Sequence, residues 1–485
     1  MHLLRRTALF FLVLTVVVGA GRPALAQARR AMTIVDLIEV PRASDPQLSA
    51  DGAQIAFTFD RPDWKANRRV SHLWRIDASG SNLVQLTQGE NGESSPRWSP
   101  DGRAIAFLTR RGDNQDTQVY LLPTGGGEAR QLSKHATAVS AITWAPDGEA
   151  LYFLAPDPKT DLEKEQEKLK DDVFAYDENY KQQHLWKVAV KDGTEQRITG
   201  GAFSVLAYKL SHDGKKIAHH RCPTPLYGDD LKGEVWLMDG GGANAVQLTT
   251  NTVEEGGAEL SPDGTQVLFL TGSNQQFKPN YRGSTGYGNA FLRDMVLHYF
   301  KNAHLDVMAG VDYLIKIGVA DPDRLVKMGW SAGGHMTNKI ITFTTRFKAA
   351  SSGAGASNWI SMYAQSDVRT YRTPWFGGTP WQKNAPTDVY WEHSPLKYIS
   401  SVTTPTLFLV GQNDVRVPPP QSVEMYRALV SNGIPTHLYM APREPHGWGE
   451  LRHVLFKANV ELDWFEKWAM GRTYTWEKAP GSEKK

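Results

Sequence analysis

Gly329-Trp330-Ser331-Ala332-Gly333 sets a serine between two glycines, after the apolar stretch Leu325-Val326-Lys327-Met328 and ahead of a helix-like one. A serine on a strained strand-to-helix turn presents its Oγ to a reacting carbonyl. Glycines two positions either side remove Cβ atoms where strand and helix nearly touch. Asp414 closes a second informative run, in which the apolar residues Leu407-Phe408-Leu409-Val410 lie between Pro405 and Gly411 and read as a buried parallel strand. A carboxylate just past the C-terminal end of such a strand stands where open α/β sheets gather their sites. His446 follows the strand-like run Thr436-His437-Leu438-Tyr439-Met440 and precedes a helix-like segment from Arg452 to Ala469. The chemistry these residue types support is acyl transfer: a serine nucleophile, an imidazole base and a carboxylate that orients it. Taken singly, Asp414 reads equally well as a turn residue and His446 as a loop histidine. The order Ser, Asp, His behind an elbow is what joins them.

Elements must hold these residues, and the N-terminal half shows a different construction. Leu48-Ser49-Ala50-Asp51-Gly52, Trp98-Ser99-Pro100-Asp101-Gly102, Trp144-Ala145-Pro146-Asp147-Gly148, Leu210-Ser211-His212-Asp213-Gly214 and Leu260-Ser261-Pro262-Asp263-Gly264 are copies of one unit. Each Asp-Gly precedes alternating apolar residues, a hairpin signal. Most units end in a short terminator: Gln85-Leu86-Thr87, Gln131-Leu132-Ser133, Arg197-Ile198-Thr199 or Gln247-Leu248-Thr249. Several short strands at a period of about 50 residues mean propeller blades. The longer interval between Gly148 and Gly214 holds the mixed-charge run from Asp161 to Asp172, expected to be a solvated helical insertion. The acids Asp171, Asp172, Asp177 and Glu178 read as its solvated face, with contact to a substrate amine as the alternative.

Four motifs in order now carry a family resemblance: Asn280-Tyr281-Arg282-Gly283-Ser284-Thr285-Gly286-Tyr287-Gly288, the Gly-Trp-Ser-Ala-Gly-Gly elbow, Gly411-Gln412-Asn413-Asp414-Val415-Arg416-Val417-Pro418 and Pro445-His446-Gly447. They resemble the catalytic domain of the prolyl oligopeptidase family, acylaminoacyl-peptidase and dipeptidyl-peptidase types above all. The repeats resemble TolB-type blades, which the same family shares. The fold class implied is α/β plus all-β: residues 27–275 as propeller blades, four full and a fifth partial, residues 276–472 as an α/β-hydrolase domain, and 473–485 as a tail. The resemblance implies a serine peptidase cleaving peptide substrates. Ser331 would be its nucleophile, Asp414 its orienting acid, His446 its general base and the backbone N–H of Ala332 an oxyanion donor. Trp330 departs from the Tyr common in the family. An esterase on the same elbow, or a propeller that only binds, are the readings from other classes.

The family plan needs more chain than is present between the fifth repeat and the Tyr281 motif. The fifth unit breaks off at Phe269-Leu270-Thr271-Gly272-Ser273-Asn274, and no His-Gly-Gly occurs anywhere, although a His-Gly-Gly-Pro loop precedes the matching motif in relatives. An internal deletion of late blades and early hydrolase strands is therefore expected, giving an incomplete propeller and an incomplete sheet. The expected consequences are that Leu325–Met328 lies at an open sheet edge, that the oxyanion hole lacks its second donor, and that activity is poor.

Arg5 and Arg6, the apolar run Ala8–Ala20 and Ala24-Leu25-Ala26 read as a secretory signal cleaved after Ala26, so export is expected, with no stable membrane insertion afterwards. Lys plus Arg number 54 against 52 Asp plus Glu, and no dense basic stripe points to nucleic acid. The 14 histidines contain no H-E-x-x-H or similar close set, so neither a metal nor another cofactor is expected. The single cysteine, Cys222, excludes an internal disulfide.

Overall fold

The computed structural model describes residues 30–112, 116–229, 232–250, 255–271, 281–284 and 287–481. The expected signal peptide lies outside these residues, as does most of the junction between the fifth repeat and the Tyr281 motif.

Among the described residues, the repeats fold as four four-stranded antiparallel meanders and one two-stranded sheet, Glu255–Leu260 with Val267–Thr271. The Asp-Gly unit is the turn between first and second strands. In the opening sheet, Ser49 Oγ donates to Asp51 Oδ1 at 2.6 Å, and the N–H groups of Ala53 and Gln54 return to Asp51 and Ser49. Ser99/Asp101, Ser211/Asp213 and Ser261/Asp263 repeat the arrangement. The glycine after each Asp has φ between +68° and +74°, which only glycine adopts cheaply. Ala145 replaces the serine in the third unit, and Asp147 there binds only the N–H of Glu149. The terminators have an equally local cause. The hydroxyls of Thr87, Ser133, Thr199 and Thr249 each accept a backbone N–H of the third strand, from Leu73, Val119, Leu185 and Val235, so the fourth strand can stop after two or three residues. The insertion forms the helix Asp161–Leu169 with a Thr160/Glu163 capping box and no buried residue.

The C-terminal part is a parallel four-stranded sheet in the order Val326–Trp330, Ala349–Gly353, Thr406–Gly411, Thr436–Ala441. The two central strands are buried throughout, as expected of strands covered on both faces. Alternate side chains face opposite layers. Ala350 and Phe408 pack toward Ile341 of the helix Ala332–Ile341 and Met425 and Leu429 of Pro419–Ser431. Ala349, Leu407 and Leu409 pack toward Val460 and Trp464 of Leu451–Phe465. Among the described residues, Val326–Trp330 pairs with one neighbour only, and Val326 and Met328 are 37% and 50% exposed. Within the described residues this strand therefore lies at an edge of the sheet. No helix among the described residues is long and apolar enough to cross a membrane.

The two parts touch in several places. Ile38 of the helix Ile34–Glu39 packs on Leu451 and Leu455. Arg369 pairs with Asp177 at 2.6 Å, and the Arg416 guanidinium lies over the Tyr227 ring. Asp177 is therefore part of the contact between the parts rather than of a solvated face.

Candidate active site

Ser331 sits between the strand Val326–Trp330 and the helix Ala332–Ile341 with φ +60° and ψ −119°. A non-glycine residue is strained there by about 1–3 kcal/mol, and the surroundings enforce it. Ser331 N–H donates to Gly353 O at 2.9 Å, while Ser331 O accepts from His335 N–H, also at 2.9 Å. A Cβ on Gly329 would collide with the backbone of Gly333, as the motif implied. The same argument fails for Gly333, whose Cβ would meet nothing. It is Gly334 that must lack one, because it lies against Gly353 O and Gly355. The second close approach is thus between the helix and the neighbouring strand, which the motif spacing does not report.

The structure brings Ser331, Asp414 and His446 together. Ser331 Oγ is 2.8 Å from His446 Nε2, and His446 Nδ1 is 2.8 Å from Asp414 Oδ2. A carboxylate only accepts, so Nδ1 carries the proton and Nε2 is free to receive one from the hydroxyl. The Asp414 side chain is wholly buried, and its Oδ1 accepts the N–H groups of Arg416 and Val417, both at 2.9 Å. Those bonds aim Oδ2 at the imidazole. The N–H of Ala332 opens the helix beside Ser331, at the end where the helix dipole favours negative charge.

Other residues hold this geometry, and sequence reasoning missed them because their partners are far away in the chain. Trp330 Nε1–H donates to His446 O at 2.8 Å, tying the elbow to the histidine loop. Glu444, almost fully buried, accepts from Gly449 N–H, Glu450 N–H and His453 Nδ1. Gln412 N–H and Asn413 N–H donate to Ala441 O and Glu444 O across the strand ends. Gly411 permits this approach, since a Cβ there would strike the carbonyls of Glu444 and Pro445. Glu444, Glu450 and His453 form the one cluster among the described residues with metal-capable spacing. Its oxygens are already engaged by these N–H groups, by Arg443 and by Asn67, so it braces the loop by internal bonds. Beside Ser331 and Ala332 lies a small cavity of about 20 Å³, with Tyr299, His335, Trp359 and Arg372 in its walls.

Blade-like antiparallel sheets joined to a parallel α/β sheet bearing a serine elbow define the architecture: β-propeller units with an α/β-hydrolase sheet. The resemblance read from the motifs holds. The model of the prolyl oligopeptidase family matches residues 274–472. The uncharacterized peptidase YuxL of Bacillus subtilis (strain 168) is 35% identical over 212 residues, 43% of this chain and 31% of that protein. The acylamino-acid-releasing enzyme of Arabidopsis thaliana is 32% identical over 177 residues, 34% of this chain and 23% of that one. The chain thus matches less than a third of the length of either relative. The acylaminoacyl peptidase of Pyrococcus horikoshii superposes with a TM-score of 0.65 at 16% identity, over 91% of this chain and 98% of that one, a likeness of fold.

Proposed function

We propose that this chain is a serine peptidase of short peptides, with Ser331, His446 and Asp414 as catalytic triad. The observation that carries this reading is the unbroken hydrogen-bonded line from Asp414 through His446 to Ser331 on a strained elbow. Ser331 Oγ attacks the scissile carbonyl carbon while Nε2 takes its proton. The C–N bond breaks as the imidazolium returns that proton to the leaving amine. Water then hydrolyses the acyl-enzyme by the same route. Ala332 N–H, at the head of its helix, serves the oxyanion. The names of the relatives, a peptidase and an acylamino-acid-releasing enzyme, favour amide over ester substrates.

The reading includes an internal deletion between the fifth repeat and the Tyr281 motif, supported by the two-stranded fifth sheet and the single neighbour of Val326–Trp330 among the described residues. The triad then works with a reduced oxyanion hole and turns over slowly. Residues 27–275 form the propeller part, 276–472 the hydrolase part and 473–485 a tail. The mature protein is exported and begins at Gln27.

A fluorophosphonate probe should label Ser331, and Ser331→Ala should abolish the labelling. Persistent labelling of the variant would move the nucleophile elsewhere. Cleavage of p-nitrophenyl esters with no cleavage of short peptides would favour the esterase reading. Transplanting the missing segment from a full-length relative should raise kcat/KM on an acyl-peptide at least ~10²-fold, the typical worth of one oxyanion donor. N-terminal sequencing of exported material checks the cleavage site.

A further inference from the structure

The helix Leu451–Phe465 begins soon after His446, and its first N–H groups are bonded by the other part of the chain. The opening N–H groups of a helix have no partner within it and must find one outside. Glu450, at the cap position, offers them no side-chain bond. Its carboxylate is taken by Arg443, through two bonds of 2.8 Å, and by Asn67 Nδ2–H, also at 2.8 Å. The cap comes instead from Asn67, 385 residues before Arg452, at the tip of the hairpin joining Gln54–Asp63 to Arg68–Asp77 in the first blade. The Asn67 carbonyl accepts from Leu451 N–H at 3.3 Å, and Asn67 Oδ1 accepts from Arg452 N–H at 2.9 Å. The Arg452 guanidinium donates to Trp64 O of the same tip at 2.6 Å. Asp63 Oδ1 shapes the tip by accepting from the N–H groups of Lys65 and Ala66. Asn67 closes it at φ +55°, a left-handed conformation that asparagine tolerates better than most residues. A carboxamide also does both jobs of this side chain with separate atoms, accepting from a helix N–H and donating to a carboxylate. Aspartate would instead face Glu450 with a second negative charge.

Resting on the peptidase reading, we propose that Asn67 is a positioning residue for catalysis: the first blade holds His446 in register by capping, from outside, the helix that follows it. The connection runs through short bonds. Asn67 fixes Glu450 and the helix start. The N–H groups of Gly449 and Glu450 end on the Glu444 carboxylate, and Glu444 O accepts from Asn413 N–H beside Asp414. Arg443 and Glu450 pair across the two ends of this loop, so it moves as one piece with His446 near its middle. A shift of the helix start therefore carries His446 Nε2 away from Ser331 Oγ, now 2.8 Å distant. Asn67 itself acts through Glu450 and Arg452, on which its side chain is spent. Its effect belongs to kcat rather than to substrate affinity.

Asn67→Gly keeps the conformation of the tip and the carbonyl bond to Leu451 but deletes the side-chain bonds to Arg452 and Glu450. In the full chain it should lower kcat on a short acyl-peptide at least about tenfold, a fraction of the ~10²-fold that a misplacement of about 1 Å costs, with KM held within about twofold. The rate at which a fluorophosphonate labels Ser331 should fall in parallel, since that reaction needs His446 but no bound peptide. Tm should move by no more than about 3 °C, because glycine is a mild replacement at such positions. Asn67→Asp should be as slow. Adding Glu450→Gln returns a donor opposite the new carboxylate and should raise activity at least about threefold over Asn67→Asp alone. Unchanged kcat and labelling in Asn67→Gly would overturn the proposal, and so would a rise in KM at constant kcat, which would mean contact with substrate. Should Asn67→Gly fail to fold, the double variant decides, and one no faster than Asn67→Asp overturns it. A wild-type chain left unlabelled at Ser331 would sink the peptidase reading and this proposal together. Wild-type labelling that Asn67→Gly leaves unchanged would sink this proposal alone.

Discussion

Ser331 and His446 follow opposite edges of the same four-stranded sheet, three strand spacings or roughly 14 Å apart, yet their side chains meet at 2.8 Å. The two sides reach that meeting by different means. The histidine side is densely tied: Glu444 gathers its loop, Gln412 and Asn413 bond across to it, and Trp330 holds the carbonyl of His446 itself. The serine side has one strand neighbour among the described residues, an exposed Val326 and Met328, and a strained backbone. Precision at the site is thus concentrated in the loop that must travel furthest, while the strained residue depends on its helix and a single adjacent strand.

Asp414→Asn should separate chemistry from scaffold most sharply. Asparagine can keep the backbone bonds from Arg416 and Val417 but stabilises the wrong imidazole tautomer, so kcat should fall by ~10⁴ with the melting curve nearly unmoved. A large loss of Tm would show that the buried carboxylate is mainly structural. On the tied side, Gly411→Ala drives a Cβ into the carbonyls of Glu444 and Pro445. It should cost about 1–3 kcal/mol in urea unfolding, and displacement of His446 should lower activity further. Wild-type stability in this variant would mean that the loop yields easily and the contrast between the sides is weak.

Trp330→Phe removes the bond across the two sides and leaves His446 O without that donor. A loss of about 1 kcal/mol is expected, together with a drop in kcat larger than any change in KM. Met328→Lys places a charge on the open edge. Stability should move by no more than ~0.5 kcal/mol, while light scattering should show less association. Unchanged association would mean that the edge is covered in solution.

Much of this was legible in the chain because its causes are local. The Ser-x-Asp-Gly turns and the Thr or Ser terminators satisfy their own hydrogen bonds within one blade, so the repeat could be read as blades directly. The elbow, and the strands ahead of Asp414 and His446, are short-range patterns of glycine and apolar residues. The glycine argument was half right. Gly329 serves contact within the elbow, which spacing reveals, whereas Gly334 serves contact with Gly353 and Gly355 on another strand, which it does not. Asp177 was misread for a similar reason: its partner, Arg369, lies in the other part of the chain.

By itself the sequence determined the kinds of element, their order, and three residues able to form an acid, a base and a nucleophile, because turn chemistry and apolar periodicity act over a few residues. Tertiary structure alone decided that Trp330 would grip His446 and that Gly411 would admit the histidine loop. Each of those outcomes is a contact between segments distant along the chain, and only packing sets which atoms end within three ångströms of one another.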